Sequence, residues 1–374
     1  MKPTTESIIK VAIGGQGRSG YNIHAMALTR LCQDTFQIVS VADQLADRRK
    51  MAENEFGART FSDYRALLKK GGFEVFVNAL PTPLHVPATI EALKAGYHVL
   101  CEKPMAGTIK DFDRMAEASA QAKRILFPFQ NNRFQPFFNK MQEVLQSGVL
   151  GEILVIRSSW SGFQRRWDWQ TLTKNLGGSL FNTGPHAIDQ ALTLIGFDKR
   201  PTVTCKMECR NTLGGDAENY CMLTLQGKNM PVVEILLSSF LAYPQGDMYN
   251  IQGTLGGLTG HATELRWKYY DPRKAPKQKF WKPWSIDRKY PSEQLPWIED
   301  SWKLEVDAEQ KTSGYTLRSF SSGPKTLYDN IHDVLRKKGK ILVTLPQVRR
   351  QIAILEEAHR QNPHIWRGTY AGRR

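Results

Sequence analysis

Cysteine is scarce in this sequence, and long apolar runs are absent. The 374 residues include five cysteines, scattered at positions 32, 101, 205, 209 and 221, which fit reduced thiols better than a disulfide framework. Cys205 and Cys209 are four residues apart, but no cluster of histidines or cysteines joins them, so no metal site is expected. No segment approaches the ~20 apolar residues that a membrane-spanning helix needs, so no membrane partner is expected.

The first residues also lack the pattern of a secretory leader. Residues 1–7 are polar, and the apolar stretch from Ile8 to Ile13 is short and runs into glycines instead of a cleavage site. We therefore expect a cytoplasmic protein. The hydrophobic share of 41% is ordinary for a globular protein, and the length suggests about two domains.

Positive charge is in excess, and part of it is clustered. The net charge is +15. The segment from Arg266 to Lys289 contains nine Lys/Arg but only two Asp, and it has aromatic residues at 267, 269, 270, 280, 281 and 284. Such a segment can bind single-stranded nucleic acid, stack on sugars or contact a neighbouring subunit. Because no nucleic-acid-binding motif accompanies it, we expect no nucleic-acid partner and favour a solvated basic insertion within a long irregular loop over 271–301.

The predicted elements change character near residue 128. Short apolar strands are predicted at 8–14, 37–42, 73–80, 98–101 and 124–127. Their alternation with helices predicts a doubly wound parallel sheet over 1–128. Later strands follow one another, near 152–160, 201–210, 217–226, 231–240 and 248–252. They predict an α+β domain over 129–374 with a large, mostly antiparallel open sheet. The last helices of this domain are expected to pack back toward the first domain.

A glycine-rich loop follows the first predicted strand. Gly15-x-Gly17-x-x-Gly20 stands directly between that strand and a helical stretch. The first glycine permits a tight turn, the second lets backbone amides approach a pyrophosphate, and the third lets helix and strand pack closely. The helix N-terminus adds a positive dipole end for the phosphates. The loop therefore predicts that the first domain is a Rossmann dinucleotide-binding domain.

Asp43 ends the second predicted strand, 23 residues after Gly20. A carboxylate at this distance binds the ribose 2′-hydroxyl and repels a 2′-phosphate, which favours NAD over NADP. Asp43 equally suits a helix N-cap. Arg48 and Arg49 follow it, and either one can soften the preference for NAD.

Two further motifs carry a family resemblance. Glu102-Lys103-Pro104 follows a predicted parallel strand, where α/β folds bind ligands. A second run begins at Gly177-Gly178 and continues to His186 and Asp189. Together with the glycine loop, these motifs resemble the Gfo/Idh/MocA family of sugar and inositol oxidoreductases, and the resemblance covers nearly the whole chain.

The resemblance implies a role for each candidate catalytic residue. Lys103 would lie between the nicotinamide and the substrate hydroxyl, and His186 would exchange the hydroxyl proton. A histidine with a reference pKa of about 6.5 suits that transfer, and an ammonium stabilises negative charge on oxygen. Asn182 stands where the family usually has aspartate. An amide binds a hydroxyl but takes no proton, so we favour a Lys103–His186 pair over a three-residue relay.

The resemblance also implies contacts with cofactor and substrate. Cofactor contacts are expected at Gly15, Gly17, Arg18, Ser19, Gly20, Asp43, Pro81, Thr82, His85, Glu102, Lys103 and Asn131. Substrate contacts are expected at Arg133, Trp160, Trp167, Asp168, Asn182 and His186. Tryptophan faces suit the C–H faces of sugar rings, although they serve core or interface packing equally well.

These observations favour an NAD(H)-dependent oxidoreductase that transfers hydride between the nicotinamide and a secondary hydroxyl or ketone of a sugar, glycoside or cyclic polyol. One alternative is a glycosidase with resident NAD that oxidises its substrate transiently to allow elimination. Another is a cofactor-binding subunit without catalysis, which Asn182 motivates. Because a broad open sheet face must be buried somewhere, a homo-oligomer, either a dimer or a tetramer, is expected.

Overall fold

Two sheets, each with its own hydrophobic core, organise the chain. The computed structural model describes residues 8–243, 246–277, 288, 290, 292–305 and 317–366, with backbone alone for 317–321. One core is built from residues 9–129 and the other begins at Phe137. We propose residue 128 as the domain boundary. The last helix contributes to both cores, and the helix before it contributes to the first.

The first sheet has six parallel strands. They are β1 (Ile9–Gly14), β2 (Phe36–Ala42), β3 (Arg59–Phe61), β4 (Val75–Asn78), β5 (His98–Cys101) and β6 (Leu126–Pro128), in the order β3-β2-β1-β4-β5-β6. The helices are α1 (Met26–Arg30, after a π-helical turn at Gly20–Ala25), α2 (Ala46–Phe56), α3 (Tyr64–Lys70), α4 (His85–Lys94) and α5 (Ile109–Ala122). The strand order reverses between β1 and β4, where α/β sheets open a ligand-binding crevice at the carboxyl ends of the strands.

The second sheet has eight strands and is mostly antiparallel. Its strands are β7 (Ile153–Ser161), β8 (Thr202–Glu208), β9 (Tyr220–Gln226), β10 (Val232–Ser238), β11 (Tyr249–Gly253), β12 (Gly256–His261), β13 (Glu264–Tyr269) and β14 (Ile298–Lys303). Their order is β14-β13-β12-β11-β7-β10-β9-β8, and only the β7–β10 pair is parallel among these neighbours. The helices are α6 (Pro136–Gln146), α7 (Ser179–Asn182), α8 (Gly184–Ile195), α9 (Leu317–Lys337) and α10 (Leu345–Arg360). The predicted fold class is therefore confirmed.

The loop predicted over 271–301 is wrong at its end. Ile298–Lys303 form β14, which pairs antiparallel with β13 at the edge of the sheet. Because most side chains of β14 are exposed, the strand has no apolar alternation that the sequence could reveal, and backbone pairing with β13 defines it. The aromatic residues 280, 281 and 284 of the basic segment lie outside the described residues.

The last two helices join the domains. Helix α9 adds Leu327 and Tyr328 to the first core, whereas α10 adds Val348 to the first core and Leu355 to the second. These contacts support our proposal that the C-terminal helices pack back on the first domain.

A buried ion pair fixes the start of the second domain. The Nε and Nη2 groups of Arg133 donate to the carboxylate of Asp189 on α8 at 2.8 and 2.5 Å. Its Nη1 donates to Gln347, the N3 residue of the capping box that begins α10, at 2.8 Å. All three groups of the guanidinium are thus used inside the protein. This corrects the predicted substrate contact of Arg133, because its guanidinium bonds to Asp189 and Gln347 instead.

Removing one partner of this pair leaves the other charge buried and unpaired. We expect Asp189→Ala to lower the free energy of unfolding by about 3–5 kcal/mol in urea denaturation. The double variant Arg133→Met with Asp189→Leu is the control, since it removes both charges and should recover most of the loss. A single variant as stable as the wild type would contradict this role.

Candidate functional site

The glycine loop leaves space in one place and none in two others. A Cβ on Gly15, whose φ is +91°, would collide with the carbonyl of Ala79, and one on Gly20 would collide with the carbonyl of Gly15. A Cβ on Gly17 would meet nothing closer than Nη1 of Arg48 at 4.0 Å. Two glycines therefore allow close packing, and the third borders open space that a dinucleotide pyrophosphate fits.

Asp43 lies beside this loop with its carboxylate fixed by backbone amides. Its Oδ2 accepts from the Gln16 N–H at 2.7 Å, and its Oδ1 accepts from the Leu45 N–H at 2.9 Å. Leu45, not Asp43, is the N-cap residue of α2, so the capping alternative is not observed. Arg48 Nη1 approaches Oδ2 at 3.4 Å. A carboxylate and a guanidinium therefore both border the open side of the loop.

The other predicted cofactor residues of the first domain differ in exposure. Arg18 is exposed and Ser19 is partly buried, and both stand where the helix begins after the glycine loop. Pro81 is exposed at the end of β4, and Thr82 lines a small pocket together with Lys103. These four positions surround the crevice at the carboxyl ends of β1 and β4.

His85 and Asn131 are both buried. The ring of His85 is buried, with Nδ1 2.7 Å from the Pro104 carbonyl oxygen and Nε2 2.8 Å from that of Leu80. Burial lowers its pKa, although both carbonyls oppose that effect. The predicted cofactor contact of His85 is thus replaced by a structural link between two loops. Asn131 is buried, and its carbonyl closely abuts Gly323 of α9.

Glu102 is buried and stabilises the loop after β5 from inside the protein. Its Oε2 accepts from the Lys103 N–H at 3.0 Å, and Nε2 of His24 lies 3.2 Å from its Oε1. Burial raises the pKa of Glu102, but His24 and Lys103 together outweigh burial and lower it to about 2. Nδ1 of His24 in turn lies 2.8 Å from the hydroxyl of Tyr328 on α9. The carboxylate of Glu102 thus faces inward, and a contact of this residue with the cofactor stays a prediction.

Lys103 reaches across from the first domain to the second. Its Nζ donates to the backbone carbonyl of Asn182, the last residue of α7, at 2.5 Å. Burial lowers the pKa of Lys103 to about 8, with further lowering by the charges of Arg18 and Arg166, while Glu102 raises it. The ammonium is therefore mostly protonated at neutral pH, yet it loses its proton more easily than an exposed lysine.

The loop before α7 rests on a buried acid that sequence reasoning missed. A Cβ on Gly178, whose φ is +96°, would collide with the carboxyl group of Glu218. That group accepts from the Leu180 N–H at 2.8 Å and from Nε1 of Trp366 at 3.2 Å. Burial raises the pKa of Glu218 to about 8, so the group is mostly protonated at neutral pH. Nothing in the sequence near Glu218 links it to Gly178.

His186 stands in the first turn of α8 beside Trp160. The two rings stack with centroids 6.3 Å apart and an angle of 23°. Burial lowers the pKa of His186 well below its usual range, and the charge of Lys103 acts in the same direction. Its Nδ1 is buried without a hydrogen-bond partner in the part of the chain that the structure describes. The ring is thus neutral at pH 7 and has one nitrogen able to accept a proton.

A cleft of about 480 Å³ opens beside these residues. Trp160 and Asn182 line it, together with hydroxyl- and amide-bearing side chains such as Ser161, Gln164, Thr183, Asn211 and Asn219. The small pocket that contains Lys103 shares Gln170 and Asn182 with it. The structure therefore places Trp160 and Asn182 in the wall of the cleft and Lys103 in the adjoining pocket, with the His186 ring stacked on Trp160.

Two predicted substrate residues lie outside the cleft. The side chain of Trp167 is 77% exposed. Asp168 is held by Arg166, whose Nε and Nη2 donate to its carboxylate at 2.7 and 2.8 Å. Although burial opposes it, this pairing lowers the pKa of Asp168. The structure thus gives neither residue the predicted position against a substrate.

The fold and the crevice define a two-domain oxidoreductase with an NAD-binding Rossmann fold. Residues 9–130 match the family described as "Oxidoreductase family, NAD-binding Rossmann fold", and residues 138–259 match the GFO/IDH/MocA C-terminal domain. The chain belongs to the Gfo/Idh/MocA family, which confirms the resemblance found in the sequence.

Similar proteins extend over most of the chain. An uncharacterized oxidoreductase of Schizosaccharomyces pombe is 24% identical over 369 residues, which cover 95% of this chain and 97% of the relative. The scyllo-inositol 2-dehydrogenase (NADP(+)) of Bacillus subtilis is 27% identical over 250 residues, 66% of each chain. The WlbA dehydrogenase of Bordetella pertussis, solved with NADH and UDP-GlcNAcA, has a TM-score of 0.75 and 23% identity, with 97% of both chains covered. No helix among the described residues is long and apolar enough to cross a membrane.

The glycine loop offers a matched pair of variants. We expect Gly17→Ala to fold normally but to weaken NADH binding at least about tenfold, because its methyl group enters the open space. Gly20→Ala should instead lower the melting temperature, since its methyl group meets backbone, at a cost of about 1–3 kcal/mol. NADH fluorescence titration and thermal unfolding would measure both. Wild-type affinity in Gly17→Ala would show that no cofactor lies there.

Proposed function

We propose that this protein is an NAD(H)-dependent dehydrogenase that interconverts a secondary hydroxyl and a ketone on a sugar, glycoside or cyclic polyol. The observation that carries the proposal is the position of Lys103 in a small pocket that opens on the large cleft through Asn182. An ammonium, a neutral histidine and a polar cleft are the groups that such a reaction requires from the protein.

The crevice between β1 and β4 fits a dinucleotide. The open space at Gly17 suits the pyrophosphate, with Arg18 and Ser19 at its edge. Asp43 suits the ribose of the adenosine, and its charge disfavours a 2′-phosphate, so we propose NAD over NADP. Arg48 stands opposite that carboxylate, and one relative is named as an NADP(+) enzyme. When bound, the nicotinamide supplies the hydride acceptor or donor.

Lys103 and His186 would handle the charge and the proton. Lys103 donates hydrogen bonds from an ammonium, so it can hold the substrate oxygen and stabilise the negative charge that develops when the hydroxyl proton leaves. His186 is neutral at pH 7 and can accept that proton. Asn182 binds Lys103 through its main chain, which leaves its side-chain amide to contact a hydroxyl. Proton transfer therefore requires only the lysine and the histidine.

The cleft lining supports a polyhydroxylated substrate. Its many hydroxyl and amide groups can each donate to and accept from sugar hydroxyls, and the Trp160 ring offers an apolar face. The relatives point the same way, since one is named for scyllo-inositol and one was solved with a nucleotide sugar.

We also propose a homo-oligomer that buries the outer face of the second sheet. That face carries partly exposed apolar side chains, including Val155, Met222 and Leu236, whereas the alternate residues of β10 are buried in the core. Apolar side chains side by side on an open sheet are typical of an association surface.

Removing the lysine or the histidine should separate chemistry from cofactor binding. We expect Lys103→Ala and His186→Ala to lower single-turnover NAD⁺ reduction at least about 100-fold, the loss expected for one catalytic group, while NADH affinity stays within threefold.

The measurement mixes stoichiometric enzyme with NAD⁺ and a panel of inositols, hexoses and aryl glycosides and follows nicotinamide absorbance. The same panel would be repeated with NADP⁺. A transient rise that decays as aglycone appears would indicate a glycosidase instead. Near-normal turnover in either variant would remove that residue from the mechanism.

The pH dependence should report Lys103. Because its pKa lies at about 8, its ammonium is lost as pH rises through that value, and kcat/KM should fall above about pH 8. Lys103→Arg keeps a permanent positive charge, so whatever activity remains should show no such fall between pH 7 and 9.5. The same decline in both proteins would show that another group titrates.

A further inference from the structure

One positive charge in the wall of the large cleft has no acidic partner among the residues that the structure describes. Arg165 and Arg166 follow β7 and line one wall. Arg166 is occupied, since it donates to Asp168 and to the side-chain oxygen of Gln170. Arg165 is exposed, and within the described part of the chain its one hydrogen bond is a long one, from Nε to the Asn211 carbonyl at 3.4 Å. Among the described residues, no ion pair includes Arg165.

The one carboxyl group in the wall of the cleft does not offset this charge. Glu218 is the only acidic residue among those lining the cleft in the described structure. Its carboxyl group faces the Leu180 amide and the Trp366 indole and is buried beneath Gly178. Lys103 adds a second cation at the end where the cleft meets the small pocket. The groups that line the cleft and the adjoining pocket in the described structure therefore carry a net positive charge, which Arg165 and Lys103 contribute.

The phosphates of the cofactor do not account for this charge. The glycine loop lies in the first domain, whereas every residue lining the cleft falls between Ser159 and Met248 in the second domain. Nucleic acid does not suit it either, because the exposed Arg165 side chain borders a concave cleft of about 480 Å³, a size typical of a small-molecule site. The anion that meets Arg165 is therefore expected on the substrate.

We propose that the cleft takes a sugar derivative with an acidic group, either a carboxylate or a phosphate, and that Arg165 binds this group. This inference rests on the dehydrogenase function proposed above. Lys103 then holds the reacting oxygen in the adjoining small pocket while the guanidinium of Arg165, in the wall of the cleft, binds the acidic group with a planar set of donors that suits both anions. Arg165 is thus a specificity-determining residue and takes no part in proton transfer.

The test compares matched neutral and acidic ligands. The enzyme loaded with NADH would be titrated calorimetrically with D-glucose, D-glucuronate and D-glucose 6-phosphate. At least one acid should bind about tenfold or more tightly than glucose, the effect of a charge-assisted contact. The stronger of the two acids identifies carboxylate or phosphate as the preferred group.

Two variants show whether Arg165 is the cause. Arg165→Gln should lose the preference for the acids and keep the affinity for glucose. Lys228→Gln removes the same charge from the exposed turn between β9 and β10, at the far end of those strands from the cleft, and should keep the preference. Equal affinity for acids and glucose, no measurable binding of the acids, or an unchanged preference in Arg165→Gln would each overturn the proposal.

Single-turnover reduction of NAD⁺ separates this proposal from the function on which it rests. If acids bind through Arg165 but no compound of the panel reduces NAD⁺, the dehydrogenase function fails and the anion site stands. If neutral sugars reduce NAD⁺ as well as acids do, the function stands and the anion site fails.

Discussion

The hydrogen bond from the Lys103 ammonium to the Asn182 carbonyl is the constraint on which the site depends. It joins the loop after β5 to the end of α7 and so holds the first domain against the second beside the cleft. A buried ammonium is stable only when it is hydrogen-bonded, and both flanking loops must hold their shape for the contact to persist. Glu102 holds one loop from below, and Glu218 supports the other beneath Gly178.

Two buried glutamates serve these loops in opposite charge states. The His24 ring and the Lys103 ammonium lie close to Glu102 and keep it ionised. Glu218 receives only neutral N–H groups, and these do not offset the desolvation of a carboxylate. An ionised acid near Lys103 keeps its ammonium charged, whereas a protonated acid under the cleft adds no negative charge there. The difference between the two environments thus maintains the polarity of the site.

Local patterns predicted what local interactions decide. The buried run of β1, the glycines after it and the position of Lys103 after β5 were all visible in the sequence, because each depends on neighbouring residues. The pairing of His24 with Tyr328 joins residues 304 apart, and the exposed strand β14 is defined by its partner alone. Arg133 resembled a substrate ligand for the same reason: its partner Asp189 lies on a distant helix. Such long-range contacts leave no periodicity in a single sequence.

Asn182 gains a physical explanation from this geometry. The family's usual aspartate would present the same main-chain carbonyl to Lys103, so the interdomain contact does not require the acid. What the asparagine removes is a negative charge at the junction of the two pockets. An aspartate there would offset part of the positive potential created by Lys103 and Arg165 and would repel an acidic substrate. An asparagine at this position and an arginine without an acidic partner among the described residues are therefore consistent in charge with the acidic substrate that we propose, and the proposed proton transfer requires only His186.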